Sequence, residues 1–322
     1  MSNQLRIIFY GTPAFATGVL KTLHQSEHQV VAVVTAADKP AGRGMQLQQS
    51  DVKNYAVAAG IPVLQPTNLK NDDFTEKLKS FNADLQVIVA FRMLPKNVWS
   101  MPPLGTFNLH ASLLPKYRGA APINWAIING DTETGVTTFF IDDKIDTGAI
   151  IDQSRCPIHK NETVGSLYTK LMELGSELTL KTVRTIATGQ VITTIQDSGS
   201  QVTHAPKLNN ENTAINWDMP AHKVDAFVRG LYPYPVAKAM LVQKETATVK
   251  VFETEVVAKD HTMVPGSIVI DDGVILVACA TGFINVVELQ LPNKKRMEAK
   301  NLLNGFSFDP DARFDVASRK TV

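Results

Sequence analysis

Asn108 and His110 stand two residues apart in the run Asn108-Leu109-His110-Ala111-Ser112-Leu113-Leu114-Pro115-Lys116-Tyr117-Arg118-Gly119-Ala120, which gathers an amide, an imidazole, a hydroxyl and two cations. In a strand, residues two apart project to the same face. An amide N–H can then donate to a developing oxyanion while the imidazole beside it moves a proton, which is what acyl-type transfer demands. The same spacing also suits an ordinary polar strand end, so it does not decide the matter alone. Further on, Asp142, Asp143 and Asp146 precede Thr147-Gly148. Their spacing matches no calcium loop, because the bidentate Glu and the turn Gly are misplaced, and no metal site is expected.

These side chains need a frame. Residues 5–10 (LRIIFY) read as a short buried strand. Gly11-Thr12-Pro13 follows, with Thr12 placed to cap a helix that begins at Pro13. Phe15, Val19, Leu20 and Leu23 carry the helical spacing, and residues 29–35 (QVVAVVT) form a second strand. Strand, turn, helix and strand in about thirty residues make a βαβ unit, which implies a parallel sheet covered on both faces. The turn lacks G-x-G-x-x-G and no acidic residue closes the second strand, which argues against a dinucleotide-dependent oxidoreductase. Residues 85–91 and 105–110 add buried strands. The second of these delivers Asn108 and His110 to a strand end, where open parallel sheets bind ligands.

Residues 121–129 and 164–187 read as helices, the longer one through Leu167, Leu171, Leu174 and Leu178, and residues 135–141 and 149–152 as strands on either side of the aspartates. Residues 51–59 read as a short helix, and residues 38–53 as a solvated polar loop carrying Lys39, Arg43 and Lys53. Loops of that length tend to be functional or disordered. The polar, turn-rich stretch 189–212 marks a boundary, giving one domain at 1–189, a linker at 190–206 and a second domain at 207–314. In that second domain Trp217-Asp218-Met219-Pro220 opens a helix whose apolar face is Val224, Phe227, Val228 and Leu231. Short strands follow at 236–242, 248–257, 267–270, 274–280 and 283–291, with Asp271-Asp272-Gly273 as a hairpin signal. Five short strands so closely spaced suggest a small closed OB-like barrel. Lys294-Lys295-Arg296 lies just past the last of them.

A chain of 322 residues, 44% hydrophobic and 20% charged, has material for two globular cores. The net charge of +1 gives no general polycation for nucleic acid, although a local basic face would suffice. No apolar run reaches membrane-spanning length, and the first residues lack a signal-peptide core. Cys156 and Cys279 are isolated, which fits reduced thiols and a cytoplasmic location.

Taken together, residues 106–123 (TFNLHASLLPKYRGAAPI) resemble the signature of the folate-dependent formyltransferases: an Asn-x-His pair, a Ser-Leu-Leu-Pro segment, and a later Asp in an Asp-Thr-Gly turn. Residues 7–13, 38–44, 207–208, 215–217, 289–290 and 294–297 resemble further segments of the members that act on tRNA, so the resemblance runs from about residue 5 to about residue 310. It implies an α/β Rossmann-like catalytic domain with a parallel-rich sheet, followed by an OB-like barrel. It further implies a transferase that moves the formyl group of 10-formyltetrahydrofolate to the amino group of methionyl-initiator tRNA, as a monomer and without a metal. On this resemblance Asn108, His110 and Asp146 are catalytic, and Ser112, Leu113, Leu114 and Pro115 contact folate. Arg43, Lys294, Lys295 and Arg296 contact tRNA. Arg118 has either a folate or RNA role or is a surface charge. Three alternatives stay open: a formyltransferase for a small amine, a folate- or RNA-binding module, and an aspartic protease. The last would need a second Asp-Thr-Gly-like aspartate, and the chain has one copy.

Overall fold

The computed structural model describes residues 4–41, 46–197, 199 and 202–315. The chain forms two compact units. The first comprises Met1–Gly119, Thr134–Pro157 and Tyr168–His204, the second Ala120–Glu133, Ile158–Leu167 and Ala205–Val322.

The first unit begins with β1 (Arg6–Gly11), α1 (Ala14–His24) and β2 (Gln29–Val34). From Ile7 to Tyr10 every side chain of β1 is fully buried, as expected for a strand covered on both faces. The short β3 (Lys39–Ala41) and β4 (Gln46–Gln48) pair as a hairpin inside the stretch expected to be an open loop. Next come α2 (Asp51–Ala58), β5 (Val63–Leu64), α3 (Asp72–Ser80), β6 (Leu85–Val89), α4 (Lys96–Trp99), β7 (Thr106–His110) and β8 (Arg118–Gly119). After α5 (Pro122–Asn129), which belongs to the second unit, β9 (Glu133–Phe140), β10 (Ile150–Pro157), α6 (Val164–Ala187) and β11 (His204–Ala205) follow.

The main sheet has the order β10-β9-β7-β6-β1-β2-β5. It is parallel from β5 through β7, while β9 runs antiparallel to β7. The face of β7 that carries Leu109 is covered by α6. A Cβ on Gly175 would come within 2.8 Å of the Leu109 side chain, so glycine there permits the close approach. The start of α1 corrects an expectation. Pro13 is the N-cap, with no side-chain cap bond, and Thr12 does not cap the helix. The N–H of Phe15 instead donates to the Tyr168 hydroxyl at 2.6 Å, a long-range partner for a free helix-terminal donor.

The second unit is built on α7 (Ala221–Arg229) and the strands β12 (Ala237–Val242), β13 (Ala247–Val257), β14 (Ile268–Asp271), β15 (Val274–Ala278), β16 (Phe283–Gln290) and β17 (Met297–Glu298), followed by α8 (Ala299–Leu303) and β18 (Arg313–Phe314). The sheet order is β14-β15-β16-β13-β12-β18, with β17 on β16. A bridge between Ser267 and Arg313 joins the two ends, so the sheet curls into an OB-like barrel. Glycine is required at the seam, because Gly266 has φ +89° and a Cβ there would lie 2.1 Å from the Phe314 carbonyl oxygen. The Asp271-Asp272-Gly273 turn is the expected hairpin, with φ of 43° and 78° at its two central residues. Trp217 does not open a helix: α7 starts at Ala221 behind Pro220. Trp217 is fully buried in the barrel core and stacks on Phe314 at 5.3 Å. Among the described residues no helix is long and apolar enough to cross a membrane.

Candidate active site

All parts of the site described first lie in the first unit. Strand β7 sits between β6 and β9, so Asn108 faces Ile88 on one side and Phe139 on the other, and His110 pairs with Thr137. Thr106, Phe107, Leu109 and His110 are buried, while Asn108 is half-buried. Its carboxamide makes no hydrogen bond to another described residue, so its donors stay available.

His110 is 6% exposed, and its Nε2 lies 2.8 Å from the Tyr117 carbonyl oxygen. A carbonyl only accepts, so Nε2 carries a proton. Nδ1 therefore faces Asp146, whose Oδ2 is 3.8 Å away. The same carboxylate oxygen accepts the Gly119 N–H at 2.8 Å. Tyr117 O and Gly119 N thus hold the imidazole and the carboxylate, Tyr117 from a turn at φ 59° and Gly119 from the short β8 that follows it. The intervening Arg118 turns its N–H away, to Thr203 O at 2.9 Å.

Asp146 sits in the left-handed region, with φ 55°. Gly148 in the same turn must lack a Cβ, which would stand 1.7 Å from the Phe140 carbonyl oxygen. Asp142 accepts the Lys144 N–H at 2.9 Å and the Thr147 hydroxyl at 2.7 Å, so it shapes the turn. Asp143 is exposed and 3.9 Å from Lys96. No group of His, Cys, Asp and Glu among the described residues is arranged to hold a metal ion.

The segment after β7 folds back through a cis Leu114–Pro115 bond. Ser112 is fully buried and donates to Lys116 O at 2.6 Å, so its hydroxyl is used inside the loop. Leu114 is buried, while Leu113 and Pro115 are half-buried. Two residues that sequence reasoning passed over hold this loop. The Thr137 hydroxyl donates to Ser112 O at 2.7 Å and accepts the Leu114 N–H at 3.1 Å. Gln153 donates to Leu114 O and to Thr137 Oγ1, both at 2.9 Å. A third, Gln196, donates to Asp146 O at 3.0 Å and Gly148 O at 2.8 Å, and accepts from Arg118.

The cations expected to meet tRNA have different surroundings. Arg43 lies outside the described residues. Near its place in the chain, Lys53 is engaged by Asp38 at 2.5 Å, and this bond, with one from Gln65, holds the Asp38 carboxyl below its ordinary range. In the second unit Lys294 and Lys295 are exposed on the turn after β16. Arg296 is paired with Glu288, and its guanidinium lies over the rings of Phe252 at 4.4 Å and Tyr232 at 5.2 Å. The Glu288 carboxylate raises the guanidinium pKa further above its already high value.

A Rossmann-like unit with an amide, an imidazole and a carboxylate at a strand end, followed by an OB-like barrel, has counterparts among known proteins. The formyl transferase family model matches residues 5–183, and the model of the formyl transferase C-terminal domain matches residues 207–307. The chain belongs to the formyl transferase family. It is 52% identical to the methionyl-tRNA formyltransferase of Flavobacterium johnsoniae, over 97% of this chain and 99% of that one. It is 51% identical to the methionyl-tRNA formyltransferase of Bacteroides fragilis, over 94% and 96%. Among solved structures, its fold is similar to that of an N-formyltransferase from Helicobacter canadensis in complex with folinic acid and dTDP-3-aminofucose. That match has a TM-score of 0.64 at 20% identity and covers 88% of this chain and 99% of that one.

Proposed function

We propose that the protein transfers the formyl group of 10-formyltetrahydrofolate to the α-amino group of methionyl-initiator tRNA. The observation that carries the acceptor is the likeness, over nearly the whole of both chains, to methionyl-tRNA formyltransferases at about half identity. The observation that carries the chemistry is the grouping of His110, Asp146 and a carboxamide free to donate at the end of β7.

In this reading the neutral amine attacks the formyl carbon, a new N–C bond forms, and the carbonyl oxygen becomes an oxyanion. Asn108 donates to that oxygen, a donor positioned before charge develops there. The attacking nitrogen sheds a proton and N10 of the folate gains one as its C–N bond breaks. Nδ1 of His110 and the Asp146 carboxylate handle that proton, since Nε2 is committed to Tyr117 O. Their 3.8 Å separation is longer than a hydrogen bond, and it tightens or is bridged when substrate enters. Leu113 and Pro115 offer half-buried apolar surface to the folate, while Ser112 shapes the loop from within.

Residues up to 189 carry the chemistry and residues 207–314 hold tRNA, with Arg43, Lys294 and Lys295 as phosphate contacts. Arg296 serves chiefly to brace Tyr232, Phe252 and Glu288. The protein acts as a monomer in the cytoplasm, in keeping with two buried cysteines, neither of them in a disulfide. The deciding experiment is incubation with 10-formyltetrahydrofolate and methionyl-tRNA, glycinamide ribonucleotide or an amino sugar, for the wild type and His110→Ala. Formylated methionyl-tRNA from the wild type alone is expected. Transfer to a small amine with none to tRNA would overturn the acceptor assignment.

A further inference from the structure

We infer that Gln196 is a positioning residue for Asp146, and this rests on the reading of Asp146 as part of the catalytic machinery. The Gln196 side chain is 8% exposed and its amide is used at both ends. Nε2 donates to Asp146 O at 3.0 Å and to Gly148 O at 2.8 Å, while Oε1 accepts from Arg118 Nε at 3.2 Å and Nη2 at 2.7 Å. The orientation of the amide follows from these partners. Turned over, it would set its oxygen against two carbonyls and its NH2 against a guanidinium, losing all four bonds.

The turn that Gln196 grips is also shaped from within by Asp142, which accepts the Lys144 N–H and the Thr147 hydroxyl. Ile145, next to Asp146, is 64% exposed. Asp146 itself holds a left-handed φ of 55°, a conformation that Asp reaches more readily than most side chains do. Its carboxylate is tied to Gly119 N and its carbonyl to Gln196, so the two bonds fix the residue from its two ends. Gln196 is in turn held by reciprocal backbone bonds between Thr194 and Ile150, each 2.8 Å. The carboxylate that faces His110 is therefore placed by an amide fifty residues further along the chain. Arg118 lies in the same grip, directly between Tyr117 and Gly119, whose backbone groups hold His110 and Asp146.

The test uses Gln196→Ala and the near-isosteric Gln196→Glu, which keeps the acceptor for Arg118 and loses both donors to the turn. Single-turnover formylation, equilibrium binding of tetrahydrofolate and of methionyl-tRNA, and thermal melting are measured for each, with Asp146→Ala and the Asp146→Ala/Gln196→Ala double variant. Displacement of a catalytic group by about 1 Å costs up to about 100-fold in rate, so a loss of about 10-fold or more is expected in both variants, with both affinities within about threefold of wild type. Gln196→Ala should cost little further when Asp146 is already Ala, because the two act through one group. A loss in Gln196→Ala that persists in full on the Asp146→Ala background, or wild-type rates in Gln196→Glu, would overturn the inference. Near-normal turnover of Asp146→Ala would instead remove the role of Asp146, a separate result.

Discussion

His110 donates from Nε2 to the Tyr117 carbonyl at 2.8 Å, which leaves Nδ1 as the only ring position able to exchange a proton with Asp146. Asp146→Ala removes the partner on that side while leaving the Tyr117 bond intact. The expected result is a fall of about 100-fold or more in turnover, with folate and tRNA affinity little changed. Rapid-quench measurement of formyl-methionyl-tRNA checks it, and turnover near that of the wild type would dismiss Asp146 from the mechanism.

The Asn108 carboxamide makes no hydrogen bond to another described residue. Its replacement should therefore cost activity and little stability. Asn108→Ala is expected to lower turnover by about 100-fold, with a melting temperature close to that of the wild type. A variant that melts much earlier would show that the carboxamide is structural.

The three basic residues after β16 should separate in a salt titration. Lys294→Ala and Lys295→Ala are each expected to weaken tRNA binding and to flatten its dependence on the logarithm of salt concentration by about one unit. Arg296→Ala strands Glu288 and uncovers two rings, so its main effect is a lower unfolding midpoint. Fluorescence titration with tRNA at several salt concentrations, alongside urea melts, distinguishes the two kinds of loss.

The hydrogen bonds from Arg184 depress the Glu27 carboxyl from 4.5 to about 2. A carboxyl whose folded pKa is lowered stabilises the protein above its unfolded pKa and stops doing so as pH falls through the folded one. The side chains are 38% and 55% exposed, so solvent screening keeps the contribution of the pair small. Glu27→Gln should be slightly less stable than wild type near neutrality, and the gap should close between about pH 4.5 and pH 2. Urea unfolding across that range measures it; a gap that persists at pH 2 would assign the effect to something other than this ion pair.

Local signals were sufficient wherever one face of an element is buried. The leucine spacing and Gly189 set the ends of α6 at Val164 and Ala187. The strand carrying Asn108 and His110 was legible for the same reason. The direction of β9 was not, since nothing within its own residues says whether it runs with or against β7, and its antiparallel course is what brings Thr137 opposite His110. Tyr168 at the start of α1 and Trp217 in the barrel likewise owe their places to partners remote in sequence. Gln196 was hidden most completely. Its neighbours Ile192 and Ile195 are almost fully exposed, so the stretch reads as a plain connector. Its importance lies in two carbonyls and a guanidinium that only the folded chain assembles.

The seam of the barrel has a consequence for synthesis. Ala214 bridges the start of β12 at Lys238, but Leu241 and Val242 of β12 and the start of β14 keep open edges until Arg313 and Phe314 reach them, and those two residues are made after every other strand. A growing chain therefore carries an unpaired edge at Leu241 and Val242, and a second at β14 once Ile268–Asp271 has been made. Such edges are templates for pairing with another chain. The exposure ends when Arg313 and Phe314 pair with these strands and Phe314 stacks against Trp217.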